Sequence, residues 1–431
     1  MKPLLSIGAA AVTMLLGVVE TSAQLGLQDV LRGTPQSTLA NPAVLLAERL
    51  TVQIASYGTS TQLSFRPRDI GSPDAGALVI SPERLSKVLP ERVSGRLGLD
   101  ASTILINVRR DWGQFGFHHG VRGMADVRTP RATLSLIAEG NRVALGRRVE
   151  VLPEGYASTW HELGGHYARR LGGGVTLGAR VKLLLGSSDL RMVDRAAVVS
   201  VAPADFAFTY AIDASGRSAG YGLDFGRDSL EAPRFTLAPG AGIGAALDIG
   251  FVRAVGRRLS FGVGLRDLGA ISWGGRRHDA SGEGVYVGAE GNVFAEDFSL
   301  STLASYDSVR ALIGLRSTAE RYTAGLPAKL TAHAGYRWTE AWTVGLVGDL
   351  RWSARRATAN LAASVLYEWT SVLRFGGVLG VGGRGSFAGL SADVRLGPIL
   401  VYASTEQVLG LLSPYATANT HGRLGVAVVM E

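Results

Sequence analysis

Cysteine is absent from all 431 residues. That excludes a disulfide framework, a thiolate metal site and a lipid-anchored cysteine at the mature N-terminus. Lysine is scarce: Lys2, Lys87, Lys182 and Lys329 are the full set, and the remaining 40 of the 44 basic residues are Arg. Charge of either sign is thin. Only 19% of residues are charged, against ~25% in ordinary soluble domains, as suits a surface that partly faces lipid. Long apolar runs are missing beyond Leu4 to Val19, and none reaches the ~18 residues of a membrane helix. The net charge of +8 is spread along the chain with no basic run interleaved with aromatics, so a nucleic-acid partner is not indicated. Arginines near the rims of a membrane protein would instead meet membrane lipid and lipopolysaccharide phosphates.

What is present is alternation. From Ala341 to Trp352 one face carries Trp342, Val344, Leu346, Gly348, Leu350 and Trp352. The other carries Thr343, Gly345, Val347, Asp349 and Arg351. Successive strand side chains point to opposite faces, so an indole stands at each end of an apolar face. Ten tilted strand residues span about 25 Å, the height of the apolar band of an outer-membrane barrel. Trp prefers both edges of such a band, and Trp338, Trp342, Trp352 and Trp369 are read as its aromatic girdle. The same parity recurs at Leu259–Leu265, Leu330–Trp338 and Ala359–Trp369. The 57 glycines are scattered and read as turns and close-packed strand positions.

Residues 1–23 read as a secretory signal: Lys2, an apolar run, then Thr21-Ser22-Ala23. Residues 24–48 are not strand-like. Asn41-Pro42 reads as an N-cap and first helical position, predicting a short helix over 41–48 inside or under a barrel. The barrel would then occupy 49–431. Residues 67–100 read as an insert with a helix over Pro82–Val93 capped by Ser81, and Thr129–Gly140 as another helix. Separate strands are expected over 156–170, 173–187, 191–202, 204–214, 241–255 and 258–273. A mixed segment over 274–326 is followed by regular hairpins to the C-terminus. The fold class expected is all-β: a transmembrane antiparallel β-barrel of about 14–16 strands with a short N-terminal plug, Asn41, Pro42 and Ala43 marking the plug. Localisation follows as the outer membrane of a Gram-negative-type bacterium.

Three motifs fail their context tests. His161 to His166 (HELGGH) spaces its histidines i and i+5, whereas a zinc-protease helix needs i and i+4. Gly380 to Gly385 matches GxGxxG but sits at a hairpin turn with no following helix. Gly216-Arg217-Ser218-Ala219-Gly220 matches GxSxG without the strand-turn-helix of a nucleophile elbow. No cofactor or metal is indicated. On the inward parity stand Arg266, Arg337, Thr343, Asp349, Arg351, Glu368, Arg374, Asp393 and Arg395, forming either an anion-attracting lumen or a ladder of wall ion pairs.

Several segments resemble domain-of-unknown-function family 5723. They are Thr34-Pro35-Gln36-Ser37 with Leu39 to Ala43, Ala138 to Asn141, Gly178 to Gly186, Gly397-Pro398 with Val401-Tyr402 and Ser404 to Glu406, and Asn419 with Arg423 to Gly425. The family's usual Asp-Asn is replaced here by Glu406-Gln407, and the chain ends on Glu431 rather than an aromatic residue. The resemblance implies an outer-membrane barrel distantly similar to the FadL-like fatty-acid transporter group, whose N-terminal segment plugs the lumen. It carries no established activity. The expected function is a channel or binding protein for small hydrophobic or amphipathic ligands, not an enzyme. One alternative is a scaffold barrel with an exported-protein partner; another is an outer-membrane esterase using Ser218.

Overall fold

The alternating segments pair into one continuous wall in the computed structural model, which describes residues 33–74, 77–205, 207–220, 237–286, 313–353, 356–383 and 385–431. The signal-peptide reading of 1–23 lies outside the described residues. The wall strands are β1 (Leu50–Leu63), β2 (Arg92–Arg110), β3 (Gly113–Pro130), β4 (Glu154–Arg170), β5 (Val175–Val201) and β6 (Phe208–Ala219 continued by Gly242–Val255). They go on through β7 (Leu259–Tyr286), β8 (Arg316–Gly325 continued by Ala328–Arg337), β9 (Trp342–Ser353) and β10 (Arg356–Glu368). The last are β11 (Leu373–Gly382), β12 (Gly385–Leu396), β13 (Ile399–Thr405) and β14 (Asn419–Met430). Each pairs antiparallel with the next, and Leu50↔Met430 closes the ring. The described residues thus form a closed 14-strand barrel.

The strand expectations change where the chain is interrupted but the wall is not. The separate strands expected over 173–187 and 191–202 are one strand, β5. Its two halves pair with the two parts of β6, so a single wall strand is broken by the excursion of residues 220–241. In the same way β7 continues through residue 273 to Tyr286, and Arg316–Gly325 extends Ala328–Arg337. Pro327 has no N–H to give the ladder and marks the break in β8. Residues 92–100, expected in an insert, begin β2. The helix at Pro82 ends at Val88, and Ser81 makes no side-chain cap bond. The helix after the β3 hairpin spans Arg131–Glu139.

Burial follows parity. Leu346 is 56% exposed, while Val347 beside it is 2% exposed. Val181, Ile243, Leu361 and Leu379 also stand on the outer face. One end of the barrel has short turns, such as Gly172–Gly174 and Gly256-Arg257. The other carries the longer connections 64–91, 131–153 and 220–241.

Candidate functional site

The barrel interior is filled from the chain's own N-terminus. Pro35–Ala40 forms a short helix that starts on Pro at its first turn; Ser37 Oγ and Thr38 Oγ1 donate back to Thr34 O (2.7 Å) and Pro35 O (2.8 Å). It stops at Asn41, which is extended because the residue before a proline avoids the α region. The helix expected over 41–48 is therefore not formed. Its first turn begins, since Asn41 Oδ1 accepts from Ala43 N–H at 2.9 Å and Asn41 O from Val44 N–H at 3.1 Å. The wall then takes over the backbone groups a helix would have used. Leu46 N–H donates to Gln114 Oε1 (2.9 Å), and Arg109 donates to Leu46 O (2.8 Å) and Ala47 O (2.7 Å).

Residues 33–48 touch the wall on many sides. Gln36 donates to Gln53 and Ser56 on β1. Asn41 Nδ2 donates to Phe251 O (3.3 Å) on β6 and Val263 O (3.2 Å) on β7. Arg180 on β5 donates to Thr38 O and Leu39 O, and Arg395 pairs with Glu48 at 3.3 Å. Gly178 and Gly250 let the segment lie against the wall: a Cβ on Gly178 would meet Pro42 C and O at 2.4 Å. Their missing side chains are a packing requirement.

Reading up β5 from there gives the layers. Arg180 holds the segment and pairs with Asp248 at 3.1 Å. Lys182 Nζ lies 2.6 Å from Asp267, 2.8 Å from Asp248 and 3.4 Å from Glu162. Arg122 joins it, 2.8 Å from Asp267 and 3.1 Å from Glu162, and His118 Nε2 is 2.9 Å from Glu162. Asp267 reaches in because β7 bulges there: it is the non-glycine residue with positive φ (61°) among the described residues, and its N–H donates to Asp248 Oδ1 at 2.8 Å. Asp tolerates that backbone better than most residues. Above this layer Leu184 belongs to an apolar cluster with Trp160, Trp273, Ile271, Met124 and Tyr322. Higher again, Asp189 accepts from Ser158 and from Tyr322 OH (2.8 Å).

The inward residues expected from parity are distributed differently. Arg266 is buried beside Asp267 at 4.0 Å. Asp349 is buried and accepts from Asn360 at 3.1 Å. Arg374 pairs with Asp393 at 2.8 Å and lies against Gly33; Arg395 reaches both Glu48 and Glu431. Thr343 and Arg351 are half-buried, whereas Arg337 and Glu368 sit exposed at the short-turn rim. Trp338, Trp342 and Trp369 cluster at that same end, Trp342 stacked on Tyr367 at 4.4 Å, with Trp352 at the other end of β9. Sequence reasoning missed Arg122, Glu162, Arg180, Lys182, Asp248 and Asp267. The signal was available in β5, where Arg180 and Lys182 alternate with Leu177, Ala179, Val181 and Leu183.

The motif glycines Gly382 and Gly385 do flank a hairpin turn, and the two histidines of HELGGH point to opposite faces, His166 inward and His161 outward. Ser218 lies within β6 and is buried. Its Oγ is 2.8 Å from His278 Nε2, whose Nδ1 is 2.8 Å from Ser317 Oγ. The ladder pairs Ser218 with both Leu190 and Arg276. The neighbouring backbone N–H groups therefore serve the sheet and do not converge beside the hydroxyl as an oxyanion hole requires.

The fold and its interior define a closed antiparallel β-barrel of the membrane type, with its lumen crossed by its own N-terminal segment. The chain belongs to the family of unknown function DUF5723, whose model matches residues 42–406. Among solved structures, the Ralstonia pickettii toluene transporter TbuX is 10% identical over 92% of both chains, with a TM-score of 0.47. A Pseudomonas aeruginosa FadL homologue is 11% identical over 93% of this chain and 95% of its own, with a TM-score of 0.49. The Pseudomonas putida toluene transporter TodX is 8% identical over 91% of each, with a TM-score of 0.45. No curated protein matches the chain.

Proposed function

We propose that this chain is an outer-membrane channel or binding protein for small hydrophobic or amphipathic ligands, with residues 33–48 as its plug. The observation that carries the reading is the interior. A backbone segment held from β1, β2, β3, β5, β6, β7 and β12 closes the short-turn half of the lumen, and an apolar cluster around Trp160 and Trp273 lies beyond it. The outward apolar side chains support the membrane setting, and short turns at one end with longer connections at the other match the periplasmic and external ends of such barrels. Removal of residues 33–48, measured as conductance in a planar bilayer, is expected to turn a closed barrel into one with steady current. Steady current from the intact chain would overturn the plug. Solvent extraction of the purified, folded protein is expected to release a bound hydrophobic compound.

A scaffold for exported proteins is the second reading, and one observation favours it. Among the described residues, the connections 64–91 and 131–153 pack together, with Ile70, Leu85 and Leu89 forming a core with Val93 at the start of β2. The helix Arg131–Glu139 borders an open cleft of about 610 Å³ lined by both signs of charge, among them Arg92, Arg131 and Arg147 with Glu91, Glu139 and Glu150. No extracted ligand, and no current even after the deletion, would leave that reading ahead.

A further inference from the structure

The charge layer leaves one cation over. Its carboxylates Glu162, Asp248 and Asp267 are met by Arg122, Arg180 and Lys182, one cation for each. Arg266 is the surplus. Its side chain is 9% exposed, and its nearest carboxylate is Asp267 at 4.0 Å. Asp267 already accepts from Lys182 at 2.6 Å and from Arg122 at 2.8 and 3.1 Å. Among the described residues the Arg266 guanidinium makes no hydrogen bond. Its Nε is buried without a partner, and its terminal nitrogens, equally without one, keep access to the lumen.

A buried charge without a partner is costly, and register adds to the cost here. Arg266 stands opposite Lys329 on β8, and Lys329 opposite Arg351 on β9, so three inward cations share one row. Like charges directly opposite on neighbouring strands repel. The inward carboxylate of β9, Asp349, accepts from Asn360. The space around the Arg266 fork is bounded below and above. Gly264, the inward position beneath it on β7, lies against Ala40 and Asn41 of the N-terminal segment. Above it Gly269 carries no side chain, and then Ile271 and Trp273 join the apolar cluster with Trp160 and Tyr322. A molecule descending from the long-connection end meets flat aromatic rings first, then the unpaired guanidinium, then the segment that closes the lumen.

We propose, resting on the channel-or-binding reading above, that Arg266 is the anion-binding residue of a lumen site for an aromatic monocarboxylate. The carboxylate takes the two parallel hydrogen bonds that a guanidinium fork offers. One surplus positive charge calls for one negative charge. A monoanion therefore matches the site, whereas a neutral hydrocarbon leaves Arg266 unpaired. The ring of the ligand packs against Trp160, Trp273 and Tyr322, where aromatic faces add to the burial of apolar area. The bound carboxylate then stands directly over the N-terminal segment.

The test is calorimetric titration of the folded, full barrel in detergent at neutral pH with hydrocinnamate, its neutral amide hydrocinnamide, and its saturated-ring analogue cyclohexanepropionate. One hydrocinnamate per barrel is expected. The amide should bind about tenfold more weakly or worse, the worth of a hydrogen bond to a charged group. The saturated analogue should bind about threefold more weakly, the worth of an aromatic contact beyond its area. R266Q should lose the preference for the carboxylate while keeping the affinity for the amide, and R266K, a point charge without the fork, should keep part of that preference. R68Q, in an external connection, should bind as the parent does. Circular dichroism confirms that each variant is folded, and the comparison of acid with amide needs no variant. Equal affinity of the parent for acid and amide, or a preference that survives in R266Q, overturns the anion site and leaves an apolar lumen site standing. Equal affinity for the aromatic and saturated acids overturns the aromatic assignment. Saturation by none of the three overturns the site and the ligand-binding reading with it.

Discussion

At the residue scale the barrel interior depends on one lysine. Lys182 is the cation within 3.4 Å of Asp248, Asp267 and Glu162 at once, and its side chain is 1% exposed. Removing one partner of a buried ionic group leaves its counter-charges uncompensated, at a cost of about 3–5 kcal/mol. K182M is expected to lower the unfolding free energy by that order, read from urea unfolding in micelles. R68A, which removes an exposed pair at 4.0 Å, is expected to change it by less than about 1 kcal/mol. Equal effects would mean that the charge layer is solvated. That Lys182 matters was partly visible in the sequence: lysine is rare here, and this one stands on the inward parity of a strand. Its partners were not visible. Asp267 depends on a bulge that changes parity after Arg266, and no residue pattern around it announces a positive φ.

At the element scale the N-terminal segment shows how tertiary contacts override a local preference. Asn41-Pro42 is good helix-start chemistry, and a first turn does form. Gln114 and Arg109 then capture the backbone groups that would have continued it. A non-strand stretch ahead of the first strand was legible; its conformation was not, because the competing partners lie more than 60 residues away. Two variants probe the proposed plug without deleting it. G178V places a side chain where Pro42 lies and is expected to expel the segment, giving open-channel events close in frequency to those of the 33–48 deletion. N41A loses two donor contacts to wall carbonyls, each worth about 1 kcal/mol, and is expected to raise the opening frequency by roughly thirtyfold. Parent-like closure in both would place the barrier in the charged layer instead.

At the scale of the whole molecule, the absence of cysteine makes orientation directly measurable. A single cysteine at Leu346 is expected to react with a lipid-phase reagent, and one at Val347 to be shielded from it. Equal lipid-phase labelling at both positions would sink the register of the wall. The lumen reacts differently to change. A substitution in its charge layer or in residues 33–48 acts on groups contributed by half the strands of the barrel, so its effect spreads through the interior rather than along one strand.

Alternation is a local property, set by the two-residue repeat of a strand. The sequence by itself therefore determined the wall, its outward apolar face, the likeness to its family and a non-strand segment at the N-terminus. Only the tertiary structure decided which strands are continuous across excursions, and that β6 and β8 each come from two chain segments. It alone decided which inward charges meet. Arg122 and Asp267 stand 145 positions apart, and Arg180 and Asp248 stand 68 apart. Barrel closure brings them together, and burial then makes their pairing compulsory, because an unpaired charge inside the lumen costs more than the chain can recover elsewhere.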